Sequence, residues 1–390
     1  MIRLLKTKVG YSQNADAFQA GLETAKMANF AEAKAGLLFT SCVMDQAKIL
    51  EGIKSEGKGH VLGCTSSAAI CTQDGYLNAE TGYAGMMTFS GDVEVGVGAS
   101  ERKEDETPRE TGRRIATEAL RQISTNRPEY FFMTASPAEE EEYLKGIQDV
   151  VGDIPVFGGS AADNTVEGKW SIFCDGKIFA DGCAIALFHT DAEMKNLYTG
   201  EFKETKNYGV ITEVRNNRTL VSIDGVPAVK KYCEWTGKKE EDVAGGNLLT
   251  ATIFNPLGVK DPIGSVTAIR HPMAANEDLS MNIGANLQVG TAVIQMHLEP
   301  AEMVQANPNA IDKLNGLMRK EAQSYFLVHC GGRRLGLALE GKEEQIYPTV
   351  KELTGDKEFL MVFTFGEYGK SDHSANTVGG LSLSYTGFGK

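Results

Sequence analysis

Two short stretches near the C-terminal end carry the residues best suited to chemistry. One apolar run closes on "HCGGRR", placing Cys330, Arg333 and Arg334 where a strand would stop. Another closes on "FGEYG", placing Gly366 and Glu367 in the same position. If the two runs are parallel neighbours, Cys330 and Arg333 come close to Glu367. That grouping reads in two ways: a polar pocket holding a cation, a carboxylate and a thiol, or an arginine–glutamate pair that orders two loops beside a small strand residue. His329 precedes Cys330 directly, and adjacent strand residues face opposite ways, so it is poorly placed as a base for the thiol. A neighbouring arginine lowers a thiol pKa, which keeps a thiol-dependent enzyme using Cys330 among the readings.

Related corners occur earlier in the chain. "IPVFGGSAADN" (154–164) sets Gly158, Gly159, Ser160 and Asn164 at the end of an apolar run, and "HVLGCTSSAAI" (60–70) echoes it. Glycine permits close backbone approach there, and exposed N–H groups receive polar or anionic ligands. Neither corner is a phosphate loop, because no Gly-Lys-Ser/Thr follows, and no GxSxG elbow is present. The histidines (His60, His189, His271, His297, His329 and His373) show no HxxxH or HExxH spacing, so the sequence assembles no local zinc site. One of them suffices as axial ligand of a haem, held noncovalently in the absence of CxxCH. "IFNPLGV" adds Asn255 as an available amide.

These residues sit on elements that the sequence pattern outlines. "AGLLFTSC", "MDQAKILEGIKSEG" and "GHVLGCTSSA" read as strand, helix and strand, a crossover that makes the strands parallel. The order returns as "YFFMTAS", "PAEEEEYLKGIQDVVG" and "IPVFGGSAADN", and again as "SYFLVHC", "EEQIYPTVKELTG" and "EFLMVFTFGEYG". After each corner comes a closing strand: "GYAGMMTFS", "GCAIALFHT" and "VGGLSLSYTGFG"; "VGTAVIQMHLE" is a fainter fourth echo. The expected fold is α/β, with internally duplicated mixed β-sheets flanked by helices in a layered sandwich of two domains, 1–210 and 211–390. A ligand would lie beyond the carboxyl ends of the parallel strands, where the corners are.

Bulk properties narrow the function classes. The chain has 390 residues, 42% hydrophobic and 23% charged, with 43 glycines and a formal net charge of -13. That charge opposes nucleic-acid binding, which needs a cationic footprint. No apolar run reaches bilayer-spanning length, and the opening residues lack the apolar core of a signal peptide. Seven scattered cysteines without a CxxC pair fit reduced thiols, so a cytoplasmic location is expected.

The pattern resembles the FIST N and FIST C domains: "VGYSQNADAFQAGLETAKMA", "LLFTSC", "VLGCTSSA", "IPVFGGSAADN" and "DGCAIALF" for the first, "IFNPLGV", "VGTAVIQM", "FLVHCGGRR" and "FTFGEYG" for the second. The resemblance implies an intracellular sensory protein that binds a small ligand, an amino acid or related metabolite, and signals through a partner such as a histidine kinase. It also implies a second reading, since stand-alone members of about this size include haem-containing nitric oxide sensors. The motif residues it carries over to ligand contact are Gly158, Gly159, Ser160, Asn164, Asn255, Cys330, Arg333, Gly366 and Glu367. In that scheme Arg333 pairs an anionic group and Glu367 a cationic one.

Overall fold

The computed structural model describes residues 4–260, 267–370 and 375–389. Among them are four sheets, three of which follow one plan. In the first, Ala35–Ser41 and His60–Ser66 run parallel, Ala84–Gly91 is antiparallel to Ala35–Ser41, and Leu5–Ser12 flanks it. In the second, Tyr130–Ala135 and Val156–Gly159 are the parallel pair, with Gly182–His189 and Glu94–Glu101 beyond. In the third, Ala322–Cys330 and Glu358–Thr364 are parallel, followed by Leu383–Gly389 and Met194–Thr199. The α/β class and the mixed sheets read from the crossover pattern are therefore present, with helices on the outer faces.

Each sheet is finished by a hairpin from another unit. The hairpin Ile70–Thr72/Gly75–Leu77 leaves the first corner and pairs with Glu358–Thr364 of the third sheet. Ile172–Cys174/Lys177–Phe179 leaves the second and pairs with His60–Ser66 of the first. Glu367–Lys370/Asn376–Gly379 leaves the third and pairs with Val156–Gly159 of the second. The glycine corners are thus the points where the chain departs its own sheet for a neighbour. Within the strands that lead to two of these corners, Gly63 and Gly158 have φ angles of +154° and +131°, and an added Cβ would lie 1.8 Å from Leu38 O and 2.0 Å from Met133 O of the adjacent parallel strand.

The inner faces of the three sheets meet in one apolar core. Phe39 and Phe89 come from the first sheet, Phe132, Phe157 and Phe188 from the second, Phe326 and Phe388 from the third. Their ring centroids lie 5.0–6.3 Å apart, mostly edge to face, as for Phe89–Phe188 at 5.0 Å and Phe157–Phe388 at 6.3 Å. The outer faces are covered by helices: Ala17–Met27 and Gln46–Lys54 on the first, Pro108–Leu120 and Glu140–Val151 on the second, and Pro300–Leu317, Gly331–Leu339 and Ile346–Thr354 on the third. A sheet covered on both sides needs apolar residues on both, which explains the unbroken hydrophobic runs.

Two features differ from the sequence reading. The run "HCGGRR" does not end in a loop, since the helix Gly331–Leu339 begins directly after Cys330. The fainter echo "VGTAVIQMHLE" is no fourth copy of the unit. It supplies Ala292–His297 to an eight-stranded sheet paired antiparallel throughout, inserted between Met194–Thr199 and the helix Pro300–Leu317. Residue 210 lies within a strand of that insert, Lys203–Arg215.

Because every sheet contains strands of two units, unfolding by urea is expected as one transition. Phe326→Ala, at the meeting point of the three sheets, is expected to destabilise by about 3–5 kcal/mol. Two resolved transitions in the unaltered protein, or a loss under about 1 kcal/mol in the variant, would contradict this packing scheme.

Candidate functional site

The three corners bind one another through main-chain hydrogen bonds. Ser67 N donates to Phe363 O at 2.8 Å, Ala162 N to Thr65 O at 3.0 Å, and Ser160 N to Gly366 O at 2.8 Å. A cavity of about 370 Å³ opens beside this junction. Ser67 reaches it from the first corner, Asn164, Val166 and Trp170 from the second, and Cys330, Gly331, Gly332, Arg334, Leu335 and Phe365 from the third unit. The inserted sheet and its helix close the opposite side with Arg218, Leu249, His271, Met273 and Ile283.

The structure distributes the sequence-predicted residues unevenly. Cys330 and Asn164 line the cavity, whereas Gly158, Gly159, Ser160, Gly366, Glu367, Arg333 and Asn255 do not. Gly159 and Gly366 are needed for corner-to-corner contact: a Cβ on Gly159 would lie 2.7 Å from Gly366 O, and one on Gly366 2.7 Å from Ser160 Oγ. Ser160 is fully buried, donating to Glu140 Oε1 at 2.9 Å and sharing a 2.7 Å contact with the Tyr368 hydroxyl. Asn255 Oδ1 meets His297 Nδ1 at 2.9 Å, within the insert.

Arg333 and Glu367 share a buried region without forming the site's ionic partners. The Arg333 guanidinium donates to Gly200 O at 2.8 Å, Leu381 O at 3.1 Å and Met303 O at 3.4 Å, and lies 5.6 Å from the Phe202 ring centroid. It thereby ties two loops and the first turn of the helix Pro300–Leu317 to the helix that follows Cys330. Glu367 accepts from Thr364 Oγ1 at 3.1 Å and Ser382 N at 3.0 Å. Burial raises its pKa from 4.5 to about 8. Burial also pushes the Cys330 thiol up to about 12, helped by the negative charge of Glu367, while Leu381 N donates to its sulfur at 3.2 Å. A thiol held there has little thiolate at neutral pH.

Residues that the sequence reading passed over complete the walls. Asp163, fully buried, accepts main-chain hydrogen bonds from Thr165, Val166, Glu167 and Lys169, folding 163–169 into one wall. Asn164 Oδ1 fastens that loop to Ala68 N at 2.8 Å. Across the cavity, Arg218 of the insert donates to Glu140 Oε2 at 2.6 Å and also to Glu141. The Glu140 carboxyl is raised above the usual range by burial, opposed by the Arg218 charge. Both glutamates belong to the run "AEEEEY", which by sequence reads as a solvated acidic helix start, whereas Glu140 is buried.

Of the described histidines, only His271 lines the cavity; its Nε2 is 3.0 Å from Leu249 O, and burial lowers its pKa to about 4. His329 is buried in the third sheet with its ring 5.3 Å from that of Phe363. His60, His189 and His297 contact Asp175, Glu129 and Glu299 outside the cavity, and His373 lies outside the described residues. Among the described residues no group of three or more His, Cys, Asp or Glu is placed to hold a metal ion. Among the described residues no helix is long and apolar enough to cross a membrane.

The FIST N domain profile matches residues 34–226 and the FIST C domain profile residues 228–370. The chain belongs to the FIST family. FIST domains are small-ligand sensory domains of signalling proteins. No curated protein sequence matches the chain. Among solved structures, this FIST protein is similar to the cyanuric acid hydrolase of A. caulinodans, with a TM-score of 0.38 and 9% identity over 99% of both chains. A second cyanuric acid hydrolase structure, described as evolutionary innovation by structural concatenation, gives a TM-score of 0.35 and 6% identity over 99% of this chain and 100% of that one.

Two outcomes check this site. Iodoacetamide near neutral pH is expected to label the half-buried Cys42 and Cys233 before Cys330, as followed by peptide mass spectrometry; rapid, selective labelling of Cys330 would return thiol chemistry to consideration. Glu367 holds a proton in the folded state that the unfolded chain releases, so the stability it contributes is complete below pH 4.5 and is lost as pH rises to about 8. Glu367→Gln is expected to flatten that decline in the urea midpoint, and an unchanged slope would contradict the raised pKa.

Proposed function

We propose that this FIST protein is a cytoplasmic sensor of a small metabolite, an amino acid or related compound, and that it passes its bound state to a partner such as a histidine kinase. The observation that carries the reading is the cavity between the three corners and the inserted sheet. Its volume of about 370 Å³ falls within the roughly 300–1,000 Å³ of small-molecule pockets, and its walls are mainly apolar with a few placed polar groups.

The position of the cavity supports sensing in a physical way. A molecule bound there touches all three units and the insert at once, so its contacts depend on how closely the insert sits over the corners. Any ligand that binds two such arrangements with different affinity shifts the balance between them. The Arg218 link to Glu140 and Glu141 is the polar hinge of that relationship, since it joins the insert to the helix Glu140–Val151. A partner that reads the insert's position would then respond to occupancy.

A thermal-shift screen against amino acids and small organic acids tests the proposal. A ligand at about 100 times its Kd adds about 2.7 kcal/mol, enough to raise the melting temperature measurably. The expected result is a selective shift that is lost in Leu335→Asp, which places a charge on the cavity wall. No shift above buffer across the panel would count against a metabolite sensor of this class.

A further inference from the structure

The cavity wall holds a hydrogen-bond acceptor that the protein leaves unused. His271 lines the cavity and is only 5% exposed. Its Nε2 lies 3.0 Å from Leu249 O, and a carbonyl can only accept, so Nε2 carries the ring proton. Burial brings the ring pKa to about 4, so the ring is neutral near pH 7 and Nδ1 is a bare acceptor. Nothing among the described residues donates to Nδ1, and unlike His329 Nε2 it is not sealed inside the protein.

A second side chain of the same wall behaves alike. Ser67 lines the cavity and is 4% exposed, and its main chain is held by Ser67 N donating to Phe363 O and Ala69 N donating to Ser67 O, both at 2.8 Å. Its Oγ has no hydrogen-bond partner among the described residues and is not sealed off either. Ser67 and His271 flank one pair of residues: a Cβ on Gly331 would lie 3.3 Å from Ser67 Cβ, and one on Gly332 3.6 Å from His271 Cε1. A buried polar atom without a partner is costly, and a ligand that pairs it removes that cost.

The charged groups of the wall are, by contrast, already paired. Arg218 is bound by Glu140 and Glu141, and Arg334 by Glu343 at 2.6 Å. Glu140 also accepts from the Ser160 hydroxyl and from Ala138 N. A charge on the ligand would lose its water without a free counter-charge to receive it. Trp170, Leu249, Met273, Ile283, Leu335 and Phe365 supply an apolar surface. The wall thus offers hydrogen bonds and apolar contact, not an ionic partner.

We infer that the cavity selects an uncharged molecule with an apolar body and an N–H or O–H group that donates to His271 Nδ1. This rests on the sensory reading above and narrows it, from amino acids and related metabolites to their uncharged relatives. An acceptor fixed on a buried ring discriminates well, because a ligand lacking the donor fills the space and leaves the acceptor unpaired.

Calorimetric titration of the full chain tests this with three pairs of probes. Indole and 3-phenylpropan-1-ol carry the donor, 1-methylindole and 3-phenylpropyl methyl ether have it blocked, and tryptophan and 3-phenylpropanoate are charged. Indole and the alcohol are expected to bind, with the blocked and the charged compounds each at least about tenfold weaker. His271→Leu is expected to weaken indole roughly tenfold and leave 1-methylindole unchanged, so that the two bind alike. A merely structural His271 would weaken both equally. If that variant does not fold, the comparison of parent and blocked compounds in the unaltered protein decides. Blocked compounds binding as tightly as their parents, charged compounds binding more tightly than neutral ones, or equal weakening in His271→Leu would overturn the inference. So would failure of all six probes. In each of these cases a selective thermal shift from any other metabolite leaves the sensory reading standing, and no shift at all removes both.

Discussion

Every parallel strand pair in the three related sheets has an edge that its own unit does not cover. An open edge exposes a row of N–H and C=O groups, and the chain satisfies each row with a hairpin sent from another unit. That exchange is cyclic: first to third, second to first, third to second. Once it is made, the corners from which the hairpins depart must lie together, and the inner sheet faces must share one core of interlocked phenylalanines. The closeness of Ser67, Ser160 and Gly366 is a consequence of edge pairing before it is a property of any site.

The same constraint accounts for the buried polar groups that most resembled catalytic machinery. Where segments of the chain turn or end inside the protein, buried carbonyls need donors and buried amides need acceptors. Arg333 serves the carbonyls of Gly200, Leu381 and Met303, and Asp163 and Glu367 do the converse for main-chain amides. These groups are charged or titratable because one such side chain can satisfy several backbone atoms at once. Burial shifts the pKa values of Arg333 and Glu367, which is why perturbed titration alone does not separate a scaffold from a site.

The cavity arises where the insert departs from the threefold repetition. Only the third unit carries an insert, and only there does an extra sheet lie over the corner junction to enclose space. Its Arg218 reaches Glu140 of the second unit, so the enclosure is held by an ionic contact whose partners are 78 residues apart. A threefold body supplies the floor, and the insert supplies the facing wall.

Much of this was legible in the residues themselves. Apolar runs punctuated by glycine corners, with helices between, are local patterns, so the α/β class and the parallel pairs followed from them. The FIST resemblance rested on the same stretches. Local pattern placed the strand end at "HCGGRR" but did not show that a helix starts directly after Cys330. It could not tell Arg333 from Arg334, adjacent residues of one helical turn, since a helix sends neighbours about 100° apart and only packing decides which meets carbonyls and which meets a cavity. Sequence determined which elements form and where each chain turns, because hydrophobic period and backbone freedom act over a few residues. Tertiary structure alone decided which sheet each hairpin completes and which buried group faces open space, because both depend on surfaces contributed by residues far apart in the chain.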